Sequence, residues 1–280
     1  MIMTGRLTPT GDGTFSVFSD EYGQAMHSLS GALEEALLKH VFPSKILERD
    51  APVLRVLDVG FGIGYNVLAL LDEFLKDRKG RSVEVTSLEK DLSLTGMMRD
   101  IRFPGERGAL YESLKNLPEK SVIAGDGFSV RLIAGDARRS VTELSSSAFH
   151  AVFHDAFSPS KNPELWSADF FREIYRVGAD GCMLTTYSSA PQVRGALLET
   201  GFAIGRGPSV GKKREGTLAA KGDITQPLGN GELEEIRNNV KSTPYRDPGL
   251  AATRDAILAR RLEEMKIRRG VVRRGLPAPG

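Results

Sequence analysis

Four carboxylates and three glycines are spaced through the middle of this 280-residue chain so that they could hold a small ligand and act on it. Asp58, Gly60, Gly62 and Gly64 lie in the run Asp58-Val59-Gly60-Phe61-Gly62-Ile63-Gly64, which closes one apolar stretch and opens a helical one. Glycines there let the backbone turn sharply and approach a ligand, with helix N–H groups aimed at it. The spacing excludes two phosphate sites. A dinucleotide fingerprint would need glycine at position 65, where Tyr65 stands, and the Gly-Lys-Ser/Thr of a P-loop is absent. Glu89 ends a second apolar stretch, where a carboxylate can accept both ribose hydroxyl hydrogens of a nucleoside. Asp136 ends a third. Either it accepts from an adenine amino group while the Ala137 N–H meets a ring nitrogen, or it caps a helix starting at Ala137. Asp155 ends a fourth, and Pro159 and Pro163 hold the loop after it open. Strand alternation turns His154 away from Asp155's face, which makes it a packing residue. Trp166 is either a core anchor or a platform for a stacked base.

Positioning these groups requires strands that end together. Short apolar runs at 54–59, 83–88, 130–134, 151–154 and 182–187 alternate with helical patterns at 65–75, 91–102, 163–177 and 191–200. A last strand pair is expected at 202–205 and 217–220. Such alternation predicts an α/β fold with right-handed crossovers and a mostly parallel sheet. Ligands of such sheets lie beyond the carboxyl ends of the strands, where Asp58, Glu89, Asp136 and Asp155 fall. Residues 1–50 form an N-terminal extension with a short hairpin between Thr8 and Gly23 and a helix from Ser28 to Phe42. Residues 51–225 are the α/β domain, with an insertion at 103–128 rich in Gly and Pro and one helix at 108–117. Residues 226–280 are a tail with a helix from Ala251 to Arg268, on which Ile257, Leu258, Leu262 and Met265 form an apolar stripe.

Composition narrows the function classes. The single cysteine, Cys182, excludes an intrachain disulfide and any multi-cysteine metal site. The four histidines (27, 40, 150, 154) show no metal spacing, so no metal is expected. No apolar run approaches the ~18 residues of a membrane span. Met1 to Phe15 carries one basic residue and no apolar stretch, so no secretory signal is expected and a reducing, cytoplasmic setting follows. The 38 basic and 36 acidic residues nearly balance, but unevenly. Residues 254–274 hold eight basic and three acidic side chains, which leaves 30 basic and 33 acidic for the rest. The basic segment is either a solvated helix face or a phosphate-binding surface.

The pattern Asp-x-Gly-x-Gly-x-Gly resembles that of S-adenosylmethionine-dependent methyltransferases, in which the loop cradles the methionine part. Longer stretches resemble the MnmC-type tRNA methyltransferases, in the stand-alone form that lacks the flavin oxidase domain. These are MHSLSGALEE at 26–35, LDVGFGIGYN at 57–66, DAFSPSKNPELW at 155–166, TTYSSAPQVRGAL at 185–197, VGKKRE at 210–215 and PYRDP at 244–248. The resemblance implies a Rossmann-like class I methyltransferase fold, S-adenosylmethionine as cofactor with no flavin, and tRNA as partner. It implies N-methylation of the aminomethyl group on C5 of the wobble uridine, often on a 2-thiolated base. It places the segment of His27 and Ser28 over the cofactor pocket as a partial lid, whereas composition alone makes Ser28 a helix cap. Asp155 is the candidate catalytic group, with Phe157 and Tyr187 flanking the base by location. Lys161, Lys212, Lys213 and Arg214 are candidate tRNA contacts. Two rivals remain: an aminopropyltransferase of the spermidine synthase type, which also uses an amine nucleophile, and a non-catalytic tRNA-binding protein with a relic pocket.

Overall fold

Val53–Val59 (β4) is branched and apolar on both faces, as a central parallel strand must be. Leu54 and Val56 pack into one hydrophobic cluster, Leu57 and Val59 into a second on the opposite side. This alternation directs Asp58 toward the first cluster, the side of the helix that follows. The computed structural model describes residues 5–11, 13–19, 23–25, 31–209 and 215–273.

Ahead of β4, Gly5–Pro9 (β1), Phe15–Ser19 (β2) and Gln24–Ala25 (β3) form a small antiparallel sheet. The helix Ala32–Ala36 (α1) follows and widens into a π-helical turn at Leu37–Val41. After β4 come Tyr65–Lys76 (α2), Ser82–Glu89 (β5), and a 3-10 stretch at Leu92–Asp100 where the spacing had suggested a regular helix. Residues 103–128 contain Gly105–Leu114 (α3), Leu117–Lys120 (α4) and Val122–Gly125 (β6), which pairs antiparallel with Phe128–Ala134 (β7). The expected insertion is thus an edge hairpin with two helices. The chain continues through Ala137–Ser140 (α5), Phe149–His154 (β8), Ala168–Val177 (α6), Gly178–Thr186 (β9) and Pro191–Glu199 (α7). The helix expected at 163–177 breaks in two at Ser167, whose hydroxyl caps α6 by accepting the Phe170 N–H at 3.1 Å. Ala203–Arg206 (β10) and Thr217–Ala220 (β11) form the expected hairpin, and Asn230–Asn238 (α8) and Arg254–Arg273 (α9) complete the described elements.

The large sheet runs β10-β11-β9-β8-β4-β5-β7-β6. Its inner strands β9, β8, β4, β5 and β7 are mutually parallel. From β4 the chain builds outward through β5 and β7, then returns to β8 on β4's other side. The strand order reverses between β4 and β8, and the crevice at their carboxyl ends is where such sheets bind ligands.

Both flanks pack on this sheet. Val17, Leu33 and Val41 join α2 in one cluster, and Leu228, Tyr245 and Ile257 join α6 and α7 in the other. The apolar stripe expected on α9 is not buried as a unit: Ile257 is fully buried, but Leu262 is 57% exposed. Ile257 and the partly buried Leu258 pack on the core, and half-buried arginines add polar contacts beside them. Arg261 donates to the Thr243 and Lys241 carbonyls, and Arg268 to that of Arg237, so the helix docks on unsatisfied backbone oxygens. Among the described residues, no helix is long and apolar enough to cross a membrane.

Candidate active site

The glycine loop closes directly over the loop that carries Asp155. Gly60 has φ +98°, and a Cβ there would come within 3.0 Å of the Asp155 carbonyl oxygen. Gly64 has φ +80°, and a Cβ there would meet the Phe61 ring at 2.9 Å. Both a left-handed backbone and close approach therefore require glycine. Gly60 and Phe61 donate their N–H groups to the Leu88 carbonyl at 3.0 and 3.3 Å, and Gly62 donates to Glu89 Oε2 at 2.9 Å.

The carboxylates differ sharply in their surroundings. Asp58 is buried; its Oδ2 accepts from Ser87, its cross-strand neighbour on β5, at 2.9 Å, and its Oδ1 has no hydrogen-bond partner among the described residues. Burial, reinforced by the nearby charges of Asp155 and Glu89, pushes its carboxyl up to about 8. Burial also raises Glu89, against the N–H groups of Asp91 and Gly62 that its two oxygens accept. A carboxylate has about four lone-pair sites, so two acceptor sites on Glu89 remain.

Asp136 caps α5, accepting the Arg138 N–H at 3.0 Å, and also pairs with the Arg138 guanidinium at 2.7 Å. Burial alone would raise its carboxyl, but the Arg138 hydrogen bonds hold it below the usual range. Arg138 continues to Asp247 Oδ2 at 2.7 Å and to the Ala252 carbonyl at 2.9 Å, tying the C-terminal segment to the end of β7. Asp247 comes from the Pro-Tyr-Arg-Asp-Pro stretch, and its Oδ1 accepts the N–H groups of Ala251 and Ala252. A cavity of about 430 Å³ beside Asp136 is lined by Ile133, Gly135, Arg139 and Ala251. Ala137, the first residue of α5, is buried.

Asp155 follows β8 on the α2 side of the sheet. Its Oδ2 accepts from Asn66 Nδ2 at 3.0 Å, and its Oδ1 lies 3.8 Å from His40 Nε2. Its backbone is set by donation of its N–H to the Val59 carbonyl at 3.0 Å. The next residues are pinned from beneath: Trp166 Nε1 donates to the Phe157 carbonyl at 2.7 Å, and the Tyr187 hydroxyl to that of Ala156 at 2.9 Å. Trp166 is fully buried, which settles it as a core anchor. His154 points to the opposite face, as strand alternation requires. Its ring lies 4.3 Å from that of Trp166, its Nε2 meets the Leu165 carbonyl at 2.8 Å, and its Nδ1 has no hydrogen-bond partner among the described residues. Burial lowers it to about 4, so it is neutral near pH 7.

Asp58, the glycines, Glu89, Asp136, Ala137 and Asp155 thus line one edge of the sheet, with Phe157 and Tyr187 half-buried at its β8–β9 side. Lys161 is exposed on the loop after Asp155. His27, Ser28, Lys212, Lys213 and Arg214 lie outside the described residues. Sequence reasoning missed Asn66 and His40. Asn66 had a usable signal, since it follows the glycine loop by two residues on the helix that the loop opens. His40 had none, because its contact with Asp155 spans 115 positions of sequence. Among the described residues, no group of three His, Cys, Asp or Glu side chains could hold a metal ion.

Residues 108–222 match a family model described as S-adenosyl-L-methionine-dependent methyltransferase. An uncharacterized protein of Methanocaldococcus jannaschii is 35% identical over 262 residues, which cover 92% of this chain and 71% of that protein. The tRNA 5-methylaminomethyl-2-thiouridine biosynthesis bifunctional protein MnmC of Ralstonia nicotianae is 32% identical over 236 residues, 79% of this chain and 34% of that one. The chain spans about a third of the length of the bifunctional relatives it matches. The crystal structure of MNMC2 from Aquifex aeolicus superimposes with a TM-score of 0.83 at 33% identity, covering 94% of this chain and 86% of that one.

Proposed function

Because this chain belongs to the MnmC-type family of S-adenosyl-L-methionine-dependent methyltransferases, we propose that it methylates the aminomethyl nitrogen of 5-aminomethyluridine, with or without 2-thiolation, at the tRNA wobble position. The product is 5-methylaminomethyluridine. The observation that carries this reading is Asp155, held by Asn66 at the strand-order reversal directly under the glycine loop.

The residues present suit the cofactor. The partnerless Oδ1 of Asp58 offers a buried acceptor, the close-packed glycines leave backbone in place of side chains, and Glu89 retains sites for two ribose hydroxyls. Asp136 and the Ala137 N–H take the adenine edge beside the cavity at the end of β7. His27 and Ser28, outside the described residues, are assigned to the cofactor by the family resemblance alone. When bound, the cofactor supplies an electrophilic methyl group on sulfur. The chain's own task is to present a neutral amine in line with it, so positioning carries much of the rate. A primary alkyl amine is mostly protonated at neutral pH, with a pKa of ~10 like lysine. The Asp155 carboxylate accepts an N–H of this amine, directs its lone pair and draws off a proton. Phe157 and the Tyr187 ring flank the base, while the Tyr187 hydroxyl stays committed to the loop. Lys161, with Lys212, Lys213 and Arg214, meets tRNA phosphates. Several tail arginines are already used within the fold, which shifts the phosphate contacts toward Lys161 and the basic stretch at 212–214.

The test is transfer of a radiolabelled methyl group to tRNA bearing 5-aminomethyluridine, with putrescine as a competing acceptor. Label in the tRNA and none in putrescine is expected. Label only in putrescine, or in neither, overturns the reading.

A further inference from the structure

The reaction proposed above leaves one proton to place, and a carboxylate is a poor final holder for it. Asp155 stabilises the ammonium it would have to deprotonate, so a second acceptor is needed. The structure supplies one on the N-terminal helix. His40 lies in the π-helical turn Leu37–Val41, closed by the Phe42 N–H on the Leu37 carbonyl at 3.0 Å. The wide turn brings Lys39, His40 and Val41 all inward, and π turns occur often at functional sites. His40 is 1% exposed.

Its ring is set from two sides. Nδ1 meets Thr185 Oγ1 at 2.9 Å, and the ring lies 5.6 Å from that of Phe153. Either atom of that pair can be the donor; with the Thr185 hydroxyl turned toward the Val152 carbonyl, 3.5 Å away, His40 carries its proton on Nδ1. In that tautomer Nε2 is a lone-pair acceptor facing Asp155 Oδ1 at 3.8 Å, too long for a direct hydrogen bond. Two acceptors aimed at each other across such a gap favour an arriving proton. Among the described residues, the other ionisable side chains near it are engaged elsewhere. Lys39 on the same turn is paired with Glu35 at 3.7 Å, His154 is turned to the opposite face of β8, and Asp58 is on the adjacent strand, bonded to Ser87.

We propose that His40 is the positioning residue that takes up, through Asp155, the proton lost by the acceptor amine. This rests on the amine-methylation reading. The ammonium gives one proton by way of the Asp155 carboxylate to His40 Nε2, forming an imidazolium paired with that carboxylate. The neutral amine then uses its lone pair to form the new N–C bond, and the S–C bond breaks with its electrons left on sulfur. The product is a secondary ammonium, so one proton is released overall, and it leaves His40 after the product departs.

The experiment measures single-turnover methyl transfer at saturating cofactor from pH 6 to pH 10 for the wild type and His40→Asn. Asparagine keeps a polar atom near the Nδ1 position toward Thr185 and removes Nε2. The expected result is a rate about 10- to 100-fold lower near pH 7. That deficit should shrink steadily as pH rises and the free amine forms, with cofactor affinity unchanged. A deficit independent of pH, or none, overturns the proposal. Nitrogen-15 NMR of the ring in the wild-type protein provides a reading independent of catalysis: the Nδ1–H tautomer is expected, and the Nε2–H tautomer overturns the proposal. If the tRNA is not methylated at all while the Nδ1–H tautomer is found, the failure lies with the substrate reading and not with the arrangement of His40.

Discussion

Asp58 and Asp136 occupy matching places, each at or just beyond the carboxyl end of a parallel strand facing the same cleft, yet their carboxyls move in opposite directions. Asp58 is raised to about 8 by burial with one oxygen unpartnered, whereas Asp136 is lowered because Arg138 answers both its backbone cap and its charge. The β4–β8 half of the cleft keeps acidic groups in strained surroundings, where donors on a ligand or substrate can relieve them. The β7 half uses its carboxylate to fasten the C-terminal segment through Arg138 and Asp247. In one half the carboxylates are left for a reacting group; in the other the carboxylate beside the adenine cavity is also tied into the architecture.

The largest effect should come from removing charge in the reactive half. Asp155→Asn is expected to cut methyl transfer by about 100- to 10,000-fold while cofactor affinity, followed by calorimetry, changes little. Undiminished transfer would remove Asp155 from the mechanism. In the fastening half the cost should fall on folding. Asp247→Ala breaks a buried pair and should cost about 3 kcal/mol in urea unfolding, at the lower end for such pairs because Arg138 keeps Asp136. An unchanged unfolding midpoint would mean that the tail is not held as described.

Stability against pH separates the two halves further. His154 is lowered from 6.5 to about 4, so the unfolded chain binds its proton more readily, and stability should fall as pH drops from 6.5 to 4, by about 3 kcal/mol from this group. Asp58 works the other way. Its raised carboxyl binds a proton more tightly in the folded state, so its contribution is full below 3.8 and is lost as pH rises through about 8. Between pH 6.5 and 8 it alone of these two acts, at about 2 kcal/mol, with Glu89 raised in the same sense. Asp58→Asn should flatten that decline in chemical denaturation of the cofactor-free protein; a slope that survives would place its origin elsewhere. The smallest effect belongs to the surface: Lys161→Ala should weaken tRNA binding and reduce the log–log salt slope by about 1, and an unchanged slope would remove Lys161 from the interface.

The sequence by itself determined the order of strands and helices, the glycine loop and the placing of four carboxylates near strand ends, because apolar periodicity and glycine geometry act over a few residues. It also turned His154 away from Asp155, since strand alternation is a local rule. The tertiary structure alone decided what surrounds each carboxylate. Ser87 reaches Asp58 through strand register, His40 reaches Asp155 through the packing of a π turn on β9, and Arg138 finds Asp247 across 109 positions. The expected stripe on α9 holds only in part for the same reason: Ile257 and Leu258 pack on the core, but Leu262 is exposed, and the half-buried Arg261 reaches carbonyls that only the folded chain brings beneath it. Long-range partners have no sequence period, because they are set by where the folded chain brings distant segments together.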